Sequence, residues 1–348
     1  MDNRSWNDLL SLIEGKDIGY QPAGFIIDSP WIPGWYGISN IQFYASDRHW
    51  LNSNLKAVKQ FPDAWFLPGF WSEYGMCTEP SAFGARMIWL EQNLPHAEKI
   101  IKSIDEAGNL PRPDVRRDGM LPFVINRLRE NEKDINEAGH QIRFAVSRGP
   151  LNIASFLMGT TEFMMGLAMN PGESKMLLDL ITEFVCDWLR YQKECFPSID
   201  GILVLDDIIG FVGEEEFSEY VIPSFTRIFS SSDVNVRFLH NDAQGLITAK
   251  HLNEMGVNMF NFSFEHTMGQ IRELAGPEVV LVGNVPPRDV MAAGTPAMVR
   301  EAVRKSMEEI KDHSRILWSV GGGMPPDVKD ENITAFLDAV KEFSEKKR

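Results

Sequence analysis

Along this chain, short apolar runs that stop at Gly, Asn or Asp recur from Ala64 to Gly323, separated by longer stretches with apolar residues at helical spacing. The runs cover 64–70, 142–147, 201–206, 236–240, 257–263, 279–283 and 315–320. They are nearly continuous in apolar residues, the pattern of parallel strands covered on both faces. The helical stretches cover 162–194, 215–230, 246–255, 296–311 and 331–346, with acidic residues near several starts and basic residues near several ends. Strand then helix, repeated with right-handed crossovers, closes into a barrel or spreads into an open doubly wound sheet. Periodicity alone leaves both open, and 348 residues suit a single α/β barrel as well as two average domains.

The first sixty positions break the alternation. Two helical stretches lead into Ser29-Pro30-Trp31-Ile32-Pro33-Gly34-Trp35-Tyr36, too rich in proline, glycine and aromatics for a regular element. The expectation is an extension over residues 1–60 packing on a barrel over 61–348. Segment 69–85, holding Trp71, Glu73, Tyr74, Cys77 and Glu79, reads as a long loop after the first strand, and such loops are often functional.

A net charge of -15 with no cluster of Lys and Arg argues against a nucleic-acid partner. Cys77, Cys186 and Cys195 are an odd number without a CxxC pair, so neither a disulfide framework nor a thiolate zinc knuckle is indicated. The N-terminus lacks a basic start and an apolar run, and the best candidate for a membrane span, 151–169, is broken by Asn152, Ser155, Thr160, Thr161 and Glu162. A cytoplasmic protein without membrane contact is expected; pairing of two copies as a homodimer stays open.

In any strand-then-helix architecture the site lies beyond the carboxyl ends of the strands. Those positions are polar here: Asp206-Asp207, His240-Asn241-Asp242, Glu265-His266, Asn284 and Gly321-Gly322-Gly323. An apolar strand ending in two aspartates must put at least one at the mouth; the other reading has one capping a helix or pairing with an arginine. His240 and Asp242, two apart on extended backbone, share a side and suit Zn(II), or else form a buried hydrogen-bonded pair. Glu219 could complete a carboxylate-rich ligand set, although 215–220 also reads as an ordinary acidic first turn. The triple glycine fits neither a Rossmann nor a P-loop fingerprint.

Taken together, Asp206-Asp207-Ile208-Ile209-Gly210, His240-Asn241-Asp242-Ala243-Gln244-Gly245, Gly283-Asn284-Val285-Pro286-Pro287 and Gly321-Gly322-Gly323-Met324-Pro325-Pro326 resemble the uroporphyrinogen decarboxylase superfamily in order and spacing. The resemblance runs from about Asn40 to the C-terminus and implies a (β/α)8 TIM-type barrel, sometimes distorted. True decarboxylases of the family carry an arginine-rich N-terminal signature for the substrate's carboxylates. The matching segment here, 28–36, offers aromatic surface and no guanidinium.

The superfamily's other branch, the corrinoid-linked methyltransferases, holds zinc by a His-x-Cys step and a later cysteine. Asp242 and Gly322 stand at those two cysteine positions. Oxygen ligands leave zinc more Lewis-acidic than thiolates would, which suits polarising an ether oxygen. The resemblance therefore implies a zinc-dependent methyltransferase moving a methyl group from a methoxylated small-molecule donor, aromatic donors included, to a corrinoid carried by a separate protein. Expected ligands are His240, Asp242 and Glu219, with Asp206, Asp207 and Asn284 as catalytic residues. Trp35, Tyr36, Trp71 and Tyr74 would line the substrate pocket, together with Trp31. One alternative is a decarboxylase using Asp206 or Asp207 as general acid; another is a non-catalytic carrier of a corrinoid or tetrapyrrole.

Overall fold

The computed structural model of the chain describes residues 1–345. Position 346 of the last predicted helix and the final three positions of the predicted barrel lie outside the described residues. All the predicted strands form, with ends that differ by a few residues: β2 Trp65–Leu67, β3 Phe144–Arg148, β4 Gly201–Leu205, β5 Val236–Asn241, β6 Met259–Phe262, β7 Val280–Val285 and β8 Ile316–Val320. They are joined by β1, Gly24–Ile26, inside the segment read as an extension, so the barrel begins well before residue 61.

Strands β3 to β8 form one parallel sheet in sequential order, and β1 pairs in parallel with β2. Parallel bridges from Ala23 to Trp318 and from Ile26 to Gly323 join the two sheets at β1 and β8. The circuit then reads β2-β1-β8-β7-β6-β5-β4-β3. No strand ladder joins β2 to β3 among the described residues. At that seam the Met1 amine donates to Gln141 O at 2.9 Å, Gln141 N–H donates to Met1 O at 3.0 Å, and Glu79 Oε1 accepts the Arg148 N–H at 3.0 Å.

Side-chain packing closes what the backbone leaves open. Alternate residues point inward. Ile26, Trp65, Leu67, Phe144, Val146, Leu203, Leu205, Val236, Phe238, Met259, Val280, Val282 and Leu317, drawn from all of β1 to β8, make one buried cluster. Trp6, Leu9 and Leu12 of helix Asn3–Ile13 join it, with Trp6 edge-on to Phe144 and Arg315 Nε donating to Ile13 O at 3.1 Å. This helix covers the amino ends of the strands, and each fully buried side chain contributes roughly 1.5–3 kcal/mol by leaving water. The strands' opposite faces pack on the outer helices.

The predicted helix over 162–194 divides at Asn170 into Thr160–Met169 and Pro171–Cys195, because Pro171 cannot continue the preceding ladder. The predicted 331–346 helix forms as Asp330–Glu345. Among the described residues, no helix is long and apolar enough to cross a membrane.

Candidate metal centre

The inward face of the strands is hydrocarbon until its last position, where it turns polar. Val236 and Phe238 are followed two residues on by His240, Met259 by Asn261, Leu203 and Leu205 by Asp207, Phe144 and Val146 by Arg148, and Ile26 by Asp28. These side chains belong to the carboxyl-end mouth, above the apolar plug.

His240 is buried, with Nδ1 2.7 Å from Asn261 Oδ1. Asn261 Nδ2 donates to Val282 O at 2.8 Å and to Val320 O at 3.1 Å, so its oxygen is the end that faces the ring. That assigns the hydrogen to Nδ1 and leaves the Nε2 lone pair toward the mouth. There Nε2 lies 3.7 Å from Asp207 Oδ1 and 3.9 Å from Asp242 Oδ2. A lone pair facing two carboxylates is repulsive unless a proton or a cation lies between them.

Donor atoms of Asp207, His240 and Asp242 all fall within 4.8 Å of one another, and among the described residues no other set of three His, Cys, Asp or Glu side chains does so. Two ligands on tetrahedral zinc are about 3.4 Å apart, so the two separations from His240 Nε2 exceed that spacing by only a few tenths of an ångström. Three protein ligands leave a fourth position open, as catalytic zinc sites require. The donor set fits the metal.

The Asp242 N–H donates to Asp207 Oδ1 at 3.1 Å. Partial burial, with the Asp207 charge behind it, pushes the Asp242 carboxyl above the usual carboxylate range. Gly322, at φ 120°, abuts this group; a Cβ there would stand 3.0 Å from Asp242 Oδ2. The position that resemblance assigns to a second thiolate is thus beside the trio.

Other expected residues lie elsewhere. Asp206 is fully buried and faces away from the mouth: Oδ2 accepts from Leu151 N at 2.9 Å and Oδ1 from Asn152 N at 3.1 Å, so it caps helix Pro150–Met158. Burial pushes its carboxyl up to about 8 despite those donors. Asn284 is occupied at both ends, donating to His266 O and accepting from Ser306 Oγ at 3.2 Å, which pins β7 to its neighbours. Glu219 is exposed, on a helical turn that buries Phe217, Tyr220 and Val221 instead, and stands outside the trio.

The four expected substrate-binding aromatics do not share a pocket. Trp35 stacks on Trp31 and donates to Asp330 Oδ1 at 2.6 Å, with Lys56 over its ring and that of Tyr36. Trp71 plugs the inner core and donates to Ile27 O at 3.1 Å. Tyr74 lines a separate cavity of about 340 Å³ with Tyr44, Trp89 and Phe123. Amphipathic rings here seal the cover, their N–H groups satisfied by packing partners.

The mouth also carries charges that motif reading passed over. Arg148 Nη2 donates to Glu73 Oε2 at 2.7 Å, both side chains nearly buried. Burial, then the charge of Glu73, pushes Asp28 up to about 8, with Arg148 pulling the other way. Counting by twos from Phe144 and Ile26 would have found Arg148 and Asp28; counting from Met259 would have found Asn261.

The uroporphyrinogen decarboxylase (URO-D) family matches residues 43–343. Uroporphyrinogen decarboxylase from Ruthia magnifica subsp. Calyptogena magnifica is 22% identical over 282 residues, covering 77% of this chain and 78% of that protein. The Chloroherpeton thalassium enzyme of the same name is 24% identical over 279 residues, covering 77% of each. Among solved structures, a methyltransferase from Methanosarcina mazei superposes with a TM-score of 0.78 at 17% identity, covering 96% of this chain and 97% of its own. A B12-independent methionine synthase from Shewanella sp. W3-18-1 superposes at 0.55 with 10% identity, covering 94% and 96%. These likenesses establish the α/β barrel fold.

Proposed function

The chain belongs to the uroporphyrinogen decarboxylase family, and on that premise we propose that it is a methyltransferase taking a methyl group from a methoxylated small molecule to the corrinoid of a partner protein. The carrying observation is the Asp207–His240–Asp242 trio, with the His240 lone pair aimed at two carboxylates. A decarboxylase acting through Asp206 is disfavoured, since that carboxylate is spent on a helix end. The guanidinium at the carboxyl end of β3, that of Arg148, is matched by Glu73 and so is a poor grip for a polycarboxylate.

Zinc at the trio would supply a Lewis acid for the departing ether oxygen. Asn261 holds the imidazole in the tautomer that presents Nε2, and its own bonds to β7 and β8 lock it. Asp207 and Asp242 contribute the negative charge that retains a divalent cation, and the Asp242 N–H fixes the Asp207 carboxylate. Asp28 keeps a proton at neutral pH on the same mouth. Overall, the C–O bond breaks, the Co(I) electron pair forms the new bond to carbon, and the oxygen leaves with the bonding pair and takes up a proton.

The test is zinc-loaded protein mixed with cob(I)alamin and a methoxylated arene, followed by the spectral change from Co(I) to methyl-Co(III). About one zinc per chain and cobalt methylation are expected, with His240→Ala losing both. Protein purified without chelators that binds no zinc would remove the metal from the mechanism.

A further inference from the structure

The cavity of about 340 Å³ opens beside helices Asn40–Ala45 and Leu121–Glu137, and neither Asp207, His240 nor Asp242 lines it. Its size is that of a small-molecule site. Its aromatic walls stand at steep angles: Trp89 is edge-on to Tyr44, with ring centres 5.6 Å apart, and to Tyr74, at 6.3 Å. Trp89 is 39% exposed and Phe123 56% exposed, so indole and phenyl surface at the cavity is left to water.

Arg127 lines the same space, with its side chain only 2% exposed. Its Nε donates to Asp47 Oδ1 at 2.8 Å and its Nη2 donates to Tyr44 O. Nη1 is buried and among the described residues has no acceptor; the buried Tyr44 hydroxyl has no partner there either. A guanidinium offers donors alone, so both Nη1 hydrogens call for an oxygen. Leaving them unpaired away from water is unfavourable. Asp47, which also lines the cavity, already matches the Arg127 charge, and the guanidinium already stands 4.6 Å from the Tyr74 ring centre.

We infer that this cavity binds a neutral aromatic molecule bearing a carbonyl oxygen, its ring against Trp89 and Phe123 and its oxygen accepting from Arg127 Nη1. The carbonyl supplies the acceptor that Nη1 lacks. A cation would bring none and would face Arg127, which already holds the Tyr74 ring face. An anion would bring an acceptor but would also meet the Asp47 carboxylate, with the Arg127 charge already matched. A flat ring suits walls set edge-on to one another. The inference stands apart from the methyltransferase reading: the lining residues belong to the chain between β1 and β3, and no bond is made or broken there.

The experiment is calorimetric titration of the full chain with benzamide, benzoate and benzamidinium, three probes of one shape and three charges. Binding counts where Ala45→Trp removes it, since Ala45 is exposed and lines the cavity, so that the larger side chain fills it. Wild type should bind benzamide about tenfold or more tighter than either ion, the size of one hydrogen bond to a charged donor. Arg127→Met should erase that preference; if it fails to fold, the order of the three probes and the Ala45→Trp loss decide the matter. His240→Ala should bind benzamide as wild type does. Equal binding of the three probes, tighter binding of an ion, or binding of none, which would leave Nη1 to water, would overturn the inference. So would benzamide binding that survives Ala45→Trp, or that is lost in His240→Ala and so belongs to the trio.

Discussion

Asp206 and Asp207 are adjacent, and strand alternation sends them in opposite directions. Asp207 continues the inward series of Leu203 and Leu205 to the trio, while Asp206 turns outward under helix Pro150–Met158. Asp206→Ala would strand two buried N–H groups, and the expected result is a stability loss of about 1–3 kcal/mol in urea melts with zinc stoichiometry unchanged. A loss of zinc without destabilisation would reverse the two roles. Asp28 gives a pH prediction. Burial, then Glu73, holds its carboxyl up at about 8, whereas the unfolded value is about 3.9. Between those values the folded state binds the extra proton, so this group's contribution is complete below the unfolded value and is lost as pH rises toward 8. Asp28→Asn escapes that loss. Relative to wild type its stability should climb by roughly 1 kcal/mol per pH unit from pH ~5 to ~7 in urea melts; a flat difference would mean Asp28 is ionised throughout. The residues legible in sequence, Asp207, His240 and Asp242, end conspicuous strands. Asn261, Arg148 and Asp28 were hidden because their importance comes from which face they occupy and what stands opposite, across neighbouring strands.

Among elements, what was legible depended on how much apolar sequence each strand carries. Strands β3 to β8 bury both faces and announce themselves as hydrocarbon runs. Strand β1 pairs over only Gly24 to Ile26 and sits among proline and glycine, so no periodicity marks it, yet it links β2 to β8. Gly24 is required there, since a Cβ would come within 2.2 Å of Trp65 O. The helix over 3–13 was legible as a helix; that Trp6, Leu9 and Leu12 floor the barrel required the fold. Trp6 is 3% exposed and stands edge-on to Phe144, 5.4 Å between ring centres. Trp6→Ala should therefore cost about 3–5 kcal/mol, read as a shift of the denaturant midpoint at constant slope. A cost below about 1 kcal/mol would mean that the helix rests on the barrel without being part of its core.

For the molecule as a whole, the trio joins only two adjacent strands, β4 and β5, through Asp207 on one and His240 and Asp242 on the other. Their ladder is already paired over five residues, from Gly201 with Val236 to Leu205 with His240. A cation there adds no new topological link; it relieves the opposition of a lone pair and two carboxylates. Its effect on global stability should follow mass action, about 2.7 kcal/mol at a free concentration one hundred times the dissociation constant. That is comparable to one buried side chain, and the apo barrel, held by an interior cluster drawn from all of β1 to β8, should stay folded. Calorimetry should therefore give a single cooperative transition for apo protein, moved up by a few degrees with zinc in wild type and unmoved in His240→Ala. If chelation instead unfolds the barrel, the metal is structural and the open fourth position has no catalytic meaning. If His240→Ala shifts as much as wild type, the stabilising ion binds somewhere other than the β4–β5 rim.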